Sequence, residues 1–390
     1  MRRISKRKLR KRITVFLIVF LLLSASISFL VSYKIIHQTH KTVIKEEKTG
    51  IITQKFSLIA VGDALIHSDV YKDAETNRYD DEGNKIYSFK KMISDIKEII
   101  KPYDLKFYNQ ETIIGGKNMG LSTYPSFNSP DEIGLDMVDA GFNIVNLATN
   151  HTLDRGEKAI LYSRKFWENQ NVLAVGSYES KEDHDEVIIQ NQNGIKYAVL
   201  GYTTLTNGIS VPSGKDYLVN VYDKDKVKKD IEKVRDKVDI LIVSMHWGEE
   251  YKTTPVKSQK EIAEYLSSHG VDVIIGTHPH VVEPIEYVNN TLVIYSLGNF
   301  LSAQDGTQKR VGLITAFDVE KTIKPNETKT EIKNVKADLL WTYHENYKNF
   351  KVIPFAHITN ELEDHEKIYN EYMNYINPKQ DNRIKLGFIE

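Results

Sequence analysis

From position 56 onward the chain alternates short apolar runs with amphipathic stretches. The runs at 57–61, 105–108, 143–148, 197–200, 240–245, 271–275 and 292–295 are rich in β-branched side chains. Short apolar runs of that composition suit strands buried on both faces. Between them, 93–100, 157–169, 224–237 and 257–269 carry helical spacing, and the last ends in His269-Gly270, a glycine stop before the next strand. Strands alternating with helices predict an α/β layered domain. After 317 the alternation weakens. Positions 319–328 read as a charged turn region, 331–344 and 351–355 as added strands, and the polar, Tyr-rich stretch beyond Glu361 as a helical tail.

The N-terminus has a different pattern. Positions 1–12 hold eight Lys/Arg and no acid, and 13–33 then run 21 residues without a charge. As a helix that run spans about 31 Å, the thickness of a bilayer's hydrocarbon core. The basic block predicts a cytoplasmic N-terminus, with everything after Lys34 outside the cell. A cleavable signal peptide is the competing reading, with Ser24-Ala25-Ser26 as its small-residue site; the run exceeds the about 7–15 residues of a signal core. The expected layout is a basic tail (1–12), a membrane anchor (13–33), a polar stalk (34–55), a main domain (56–317) and a C-terminal segment (318–390) packed on it.

Composition narrows the functional classes. With 52 Lys+Arg against 53 Asp+Glu, the net charge of -1 gives no case for nucleic acid as a partner. Hydrophobic residues at 41% and charged residues at 27% allow a sizeable core. The absence of Cys (0) excludes disulfides, thiolate metal sites and a Cys nucleophile. No G-x-S-x-G elbow is present, Ser296 in YSLGNF lacking the flanking glycine, and Gly115-Gly116 lacks the Lys-Ser/Thr of a phosphate-binding loop.

The chemistry lies where apolar runs stop. Gly62-Asp63 follows the first, Asn109-Gln110-Glu111 the second, and Thr149-Asn150-His151 the third. His246-Trp247-Gly248-Glu249-Glu250 and Gly276-Thr277-His278-Pro279-His280 follow two later ones. Functional groups of open α/β sheets collect beyond the carboxyl ends of strands. Taken singly, Asp63 is an ordinary turn former, Glu111 an ordinary solvated acid, Asn150-His151 a helix entry, and His246 a half-buried partner of Trp247. His278-Pro279-His280 is harder to explain away, since Pro places two His in an extended arrangement at one strand end. Together the imidazoles, carboxylates and amide form a set suited to Zn, Mn, Fe or Ni, with enough members for two cations. A further His is available to protonate a leaving group. His37, His40, His184, His269, His344, His357 and His365 lack such a context.

Six stretches, AVGDALIHSDV (60–70), FYNQETII (107–114), NLATNHTLDRG (146–156), VSMHWGEEY (243–251), IIGTHPHVVEPIE (274–286) and YSLGNF (295–300), resemble in order the CapA family of capsule-synthesis proteins, which includes poly-γ-glutamate synthase subunits. The resemblance implies a calcineurin-like metallophosphoesterase α/β sandwich with two divalent transition metal ions, Mn, Fe or Zn. It implies that Asp63 holds the first metal, Glu111 bridges, Asn150, His246 and His278 hold the second, and His280 completes the first. His151 takes the general-acid position, Asp154 and Glu250 orient His151 and the His246 loop, and Asn299 lines the pocket. The chain departs from the usual Asp-x-His: Leu65 follows Asp63 by two, so the first metal lacks an imidazole unless His67 supplies it. Glu111, longer than the usual Asp, alters the metal spacing.

Three functions stay open. The first is a membrane-anchored, outward-facing protein of capsule or poly-γ-glutamate biosynthesis, acting with membrane-bound synthase subunits in transport or release of an anionic polymer. The second is a metal-dependent phosphoesterase or other hydrolase on an envelope substrate. The third is a non-catalytic scaffold.

Overall fold

A computed structural model of the protein describes residues 50–390. The expected anchor, the basic block and most of the stalk lie outside the described residues. Among the described residues, no helix is long and apolar enough to cross a membrane. The folded body comprises Gln54–Lys321 and Thr330–Glu390, while Thr322–Lys329 belongs to a separate small unit.

Seventeen strands form along the described chain: β1 (Ile52–Leu65), β2 (Glu75–Tyr79), β3 (Lys85–Tyr87), β4 (Leu105–Asn109), β5 (Ile144–Asn146), β6 (Leu173–Val175), β7 (Gln190–Gln192), β8 (Ile195–Thr203), β9 (Ile240–His246), β10 (Val273–Thr277), β11 (Val282–Val288), β12 (Thr291–Leu297), β13 (Asn299–Ser302), β14 (Val311–Lys324), β15 (Glu327–Glu345), β16 (Lys348–Pro354) and β17 (Ile384–Leu386). One sheet runs β16-β15-β14-β1-β4-β5-β6, with β13 added on β1 and β17 on β15. The other runs β11-β12-β10-β9-β8-β7. In the first, β1, β4, β5 and β6 pair in parallel. In the second, β8, β9, β10 and β12 do.

Strand periodicity explains the layering. On β1, Phe56, Leu58 and Ala60 join Phe107 and Ile144 against Tyr197, Val199, Ile242 and Ile275 of the other sheet. The alternate residues Ile59 and Val61 pack with Ile96, Ile133, Met137 and Trp167 of the covering helices. On the far side, Leu200, Val243 and Ile274 pack with Val227, Ile231, Ile262 and Leu266. The result is helix, sheet, sheet, helix, each fully buried aliphatic or Phe side chain contributing about 1.5–3 kcal/mol.

Several expectations change. Positions 319–328 are not a turn region, because β14 and β15 run through most of them; the β-branched Thr322, Ile323, Thr328, Thr330 and Ile332 sustain strands that charge content obscured. The boundary at 317 falls within β14, and β14–β16 form one side of the first sheet. The tail holds the helix His365–Ile376 and then β17, which pairs in parallel with β15. Buried Asp338 fastens the chain end, accepting from the N–H groups of Phe388 and Ile389 at 2.7 and 2.9 Å.

Candidate metal centre

The parallel strands of both sheets deliver polar groups to one buried place. Gly62 prepares the first. A Cβ there would lie 1.9 Å from the Gly298 carbonyl oxygen, so only glycine lets β1 approach that closely. The Asp63 N–H then donates to Gly298 O at 2.9 Å. Strand register slips beside Asp63 on both its β4 and β13 sides, an irregularity of the kind that re-aims a side chain. Gly276 does the same for β10, where a Cβ would lie 1.9 Å from Tyr295 O.

His278 and His280 do not continue β10 in the extended arrangement that the sequence suggests. Their φ angles are 98° and 59°, left-handed values that non-glycine residues adopt only when their surroundings impose them. Pro279 holds its own φ negative between them, and the turn brings both rings into the interior. His278 N–H donates to Asp63 Oδ2 at 3.3 Å, which ties this turn to β1.

Two sets of ligand atoms result, Asp63 with Glu111 and His280, and Glu111 with His246 and His278, each set lying within 4.8 Å. Glu111 belongs to both. All five residues are buried. His280 Nε2 and His246 Nε2 lie 3.6 and 3.8 Å from Glu111 Oε1, and His280 Nδ1 lies 3.3 Å from Asp63 Oδ2. Neither Glu111 oxygen has a hydrogen-bond partner, nor does His278 Nδ1. Buried polar atoms without partners are costly, and a cation satisfies lone pairs that converge in this way. The nitrogen and carboxylate donors suit a borderline or hard divalent metal.

Electrostatics agree. Burial, reinforced by Asp63, holds the Glu111 carboxyl well above the usual glutamate range, against the pull of His280. Burial also opposes a charge on His280, yet Glu111 and Asp63 carry its pKa up to about 9. Burial lowers His278 to about 3 and His246 well below the usual imidazole range, leaving both neutral and able to offer a lone pair.

Amides and hydroxyls frame these groups. The Thr277 hydroxyl lies 3.0 Å from His246 Nδ1, and His246 Nε2 faces Asn150 Oδ1 at 2.9 Å. Asn109 Nδ2 donates to Asp63 Oδ1 at 2.8 Å, and Asn146 Nδ2 to Asn109 Oδ1 at 2.7 Å. His151 Nδ1 lies 2.8 Å from Asp154 Oδ2, and the Phe127 ring stands edge-on to it at 4.7 Å. Asn299 Oδ1 lies 3.1 Å from His280 Nδ1.

Two of the sequence candidates stand apart. His67 belongs to neither ligand set: its Nδ1 lies 3.0 Å from Leu65 O, its ring packs on Phe127, and burial lowers its pKa to about 4. Glu250, in neither ligand set, is exposed, and its charge nonetheless acts on both Glu111 and His280. Conversely, sequence reasoning missed Asn207. It follows β8, accepts from Asn150 Nδ2 at 3.2 Å and places its own Nδ2 3.4 Å from His151 Nδ1. Asn207-Gly208 after a strand was its only local signal.

The family model described as bacterial capsule synthesis protein PGA_cap matches residues 57–304. The chain belongs to this family. Asp63 through Asn299, the whole candidate centre, falls inside the matched segment. Curated relatives include the PGA biosynthesis protein CapA of Bacillus subtilis, 32% identical over 47% of this chain and 48% of its own. The capsule biosynthesis protein CapA of Bacillus anthracis is 32% identical over 46% of this chain and 44% of its own. The matched region thus spans about half the length of these relatives. Among solved structures, the calcineurin-like phosphoesterase YfkN of Bacillus subtilis aligns with a TM-score of 0.45 at 14% identity, covering 83% of this chain and 100% of that one. A putative 5'-nucleotidase from Staphylococcus aureus aligns at 0.42 and 12% identity, covering 82% and 58%.

Proposed function

We propose that this chain is the metal-dependent hydrolytic component of an envelope polymer system, acting in release or editing of an anionic capsule polymer. The observation that carries the reading is Glu111, a buried carboxylate shared by two ligand sets with both oxygens unpartnered. In this reading the architecture is that of a calcineurin-like metallophosphoesterase sandwich. Asp63, Glu111 and His280 would hold one divalent cation, and Glu111, His246, His278 and Asn150 would hold a second. Bound there, the metals supply Lewis acidity and lower the pKa of a water.

The chain's own residues supply the rest. Asp154 engages His151 Nδ1, which leaves Nε2 as the nitrogen free to give a proton to a leaving group. Phe127 against the same imidazole limits water around it. Asn109 and Asn146 hold Asp63 in place, so that its second oxygen stays directed at the centre. The basic block and uncharged run at the N-terminus support a domain outside the membrane, and membership of the capsule-synthesis family supports synthase subunits as its neighbours.

The test is turnover. Protein loaded in turn with Mn, Zn and Fe is offered phosphodiesters, phosphomonoesters and purified capsule polymer. Metal-dependent cleavage of any one supports a hydrolase, and the substrate cleaved fixes its class. A folded, metal-loaded protein inert on the whole panel contradicts it.

A further inference from the structure

Tyr251 breaks the ordinary pattern of burial. The residue is 45% exposed, yet its ring centroid lies 6.1 Å from that of buried His280. Its φ is 65°, again a left-handed value imposed by its setting. The Tyr251 N–H donates to Pro279 O at 2.8 Å, so the turn bearing the two ligand histidines fixes the tyrosine as well.

The neighbours of this ring are also fixed. Gln304 Nε2 donates to the Tyr251 hydroxyl at 3.2 Å. The Lys309 ammonium lies 5.1 Å from the ring centroid. Buried Asn299 organises both, donating from Nδ2 to Gln304 Oε1 at 3.0 Å and to Lys309 O at 2.8 Å, while its Oδ1 faces His280. One asparagine therefore couples a candidate metal ligand to an aromatic platform, an amide and a cation at the rim. Among the described residues, Lys309 is seated on an aromatic face rather than on a carboxylate, which leaves its charge available to a ligand.

The geometry points to a rim subsite in which Lys309, the Tyr251 hydroxyl and the Tyr251 ring receive an anionic group carried by the substrate chain beside its scissile bond. That group is a carboxylate or a phosphate. Glu250, exposed next to Tyr251 and acting on its hydroxyl, opposes the same anion and sets its affinity from the other side. The inference rests on the metal-centre reading for the position of the scissile bond. Binding of the anion itself needs no metal.

The experiment is binding of fluorescent oligo-glutamate and of polyphosphate to the full chain, by anisotropy, with and without chelator. Lys309→Ala is expected to weaken binding about fivefold, as for one partly exposed ion pair. Tyr251→Ala is expected to weaken it roughly tenfold, with Tyr251→Phe in between. Glu250→Gln is expected to tighten it about twofold, and high salt to erase the Lys309 effect. Preference for one probe assigns the group as carboxylate or phosphate. Should Tyr251→Ala not fold, Tyr251→Phe and Lys309→Ala carry the test. The subsite is overturned if wild-type protein binds neither probe, if Lys309→Ala binds like wild type, or if Glu250→Gln weakens binding. A protein that takes up no metal yet shows the Lys309 and Glu250 effects contradicts the hydrolase and leaves the subsite standing.

Discussion

Glu111 and Glu283 are both sealed from solvent, and burial holds both carboxyls above the ordinary glutamate range, Glu283 at about 8. Both have unpartnered oxygen atoms. Their surroundings differ in kind. Glu283 is the second residue of β11 and accepts from Gln259 Nε2 at 2.6 Å, so a single proton makes it a neutral, tolerable core residue. Glu111 lies just past the end of β4 and faces Asp63, His246, His278 and His280. Neutral His246 and His278, with Asp63, turn lone pairs toward it, and the charged His280 ring lies 3.6 Å from its Oε1, too far for a hydrogen bond. Burial with an orphaned oxygen therefore does not make a metal site; convergence of lone pairs does.

Substitutions separate the two carboxylates. Glu111→Ala should have the largest effect, lowering metal content and costing turnover more than the about 100-fold that loss of an outer-shell partner alone causes. Elemental analysis with kinetics checks it, and unchanged metal content would remove Glu111 from the centre. His151→Ala should keep the metal and cut turnover by roughly 10²–10⁴-fold, the contribution of a general acid. Parallel loss of metal and activity would mean that His151 is a ligand instead.

Glu283→Gln should leave metal uptake and turnover alone and act on stability. In the folded chain burial lifts the carboxyl from its ordinary value of 4.5 to about 8. Wild-type stability from this group is thus fully present below pH 4.5 and lost as pH rises through about 8. The neutral amide should flatten that decline and leave the variant more stable than wild type above pH 8. Denaturant melts across the pH range read it directly. A variant that loses metal would instead make Glu283 part of the centre.

The same contrast explains what was legible in the sequence. Asp63, Glu111, Asn150, His151, His246, His278 and His280 each follow an apolar run, a local signal that places them at strand ends, and the fold brings them together. Glu283 carries no such signal. Neither do Phe127 and Tyr251, whose positions depend on contacts from distant segments, and Asn207 has only the Asn-Gly pair that follows a strand. The left-handed turn at His278 and His280 was hidden for that reason too, because β1 and the Tyr251 segment impose it. The helix Asp131–Ala140 escaped notice because Gly134 and Asp136 interrupt its apolar face. In the fold Gly134 meets Phe166 at a distance that leaves no room for a side chain, and Asp136 accepts from Phe89 N–H at 2.6 Å.

If one buried carboxylate organises a two-metal centre, metal content must depend on it. The decisive comparison is elemental analysis of the protein purified without chelator, beside Glu111→Ala. About two equivalents of a divalent transition metal are expected in the wild type, with loss of metal in the variant. A folded wild-type chain that stays metal-free after reloading with Mn, Zn and Fe would contradict this.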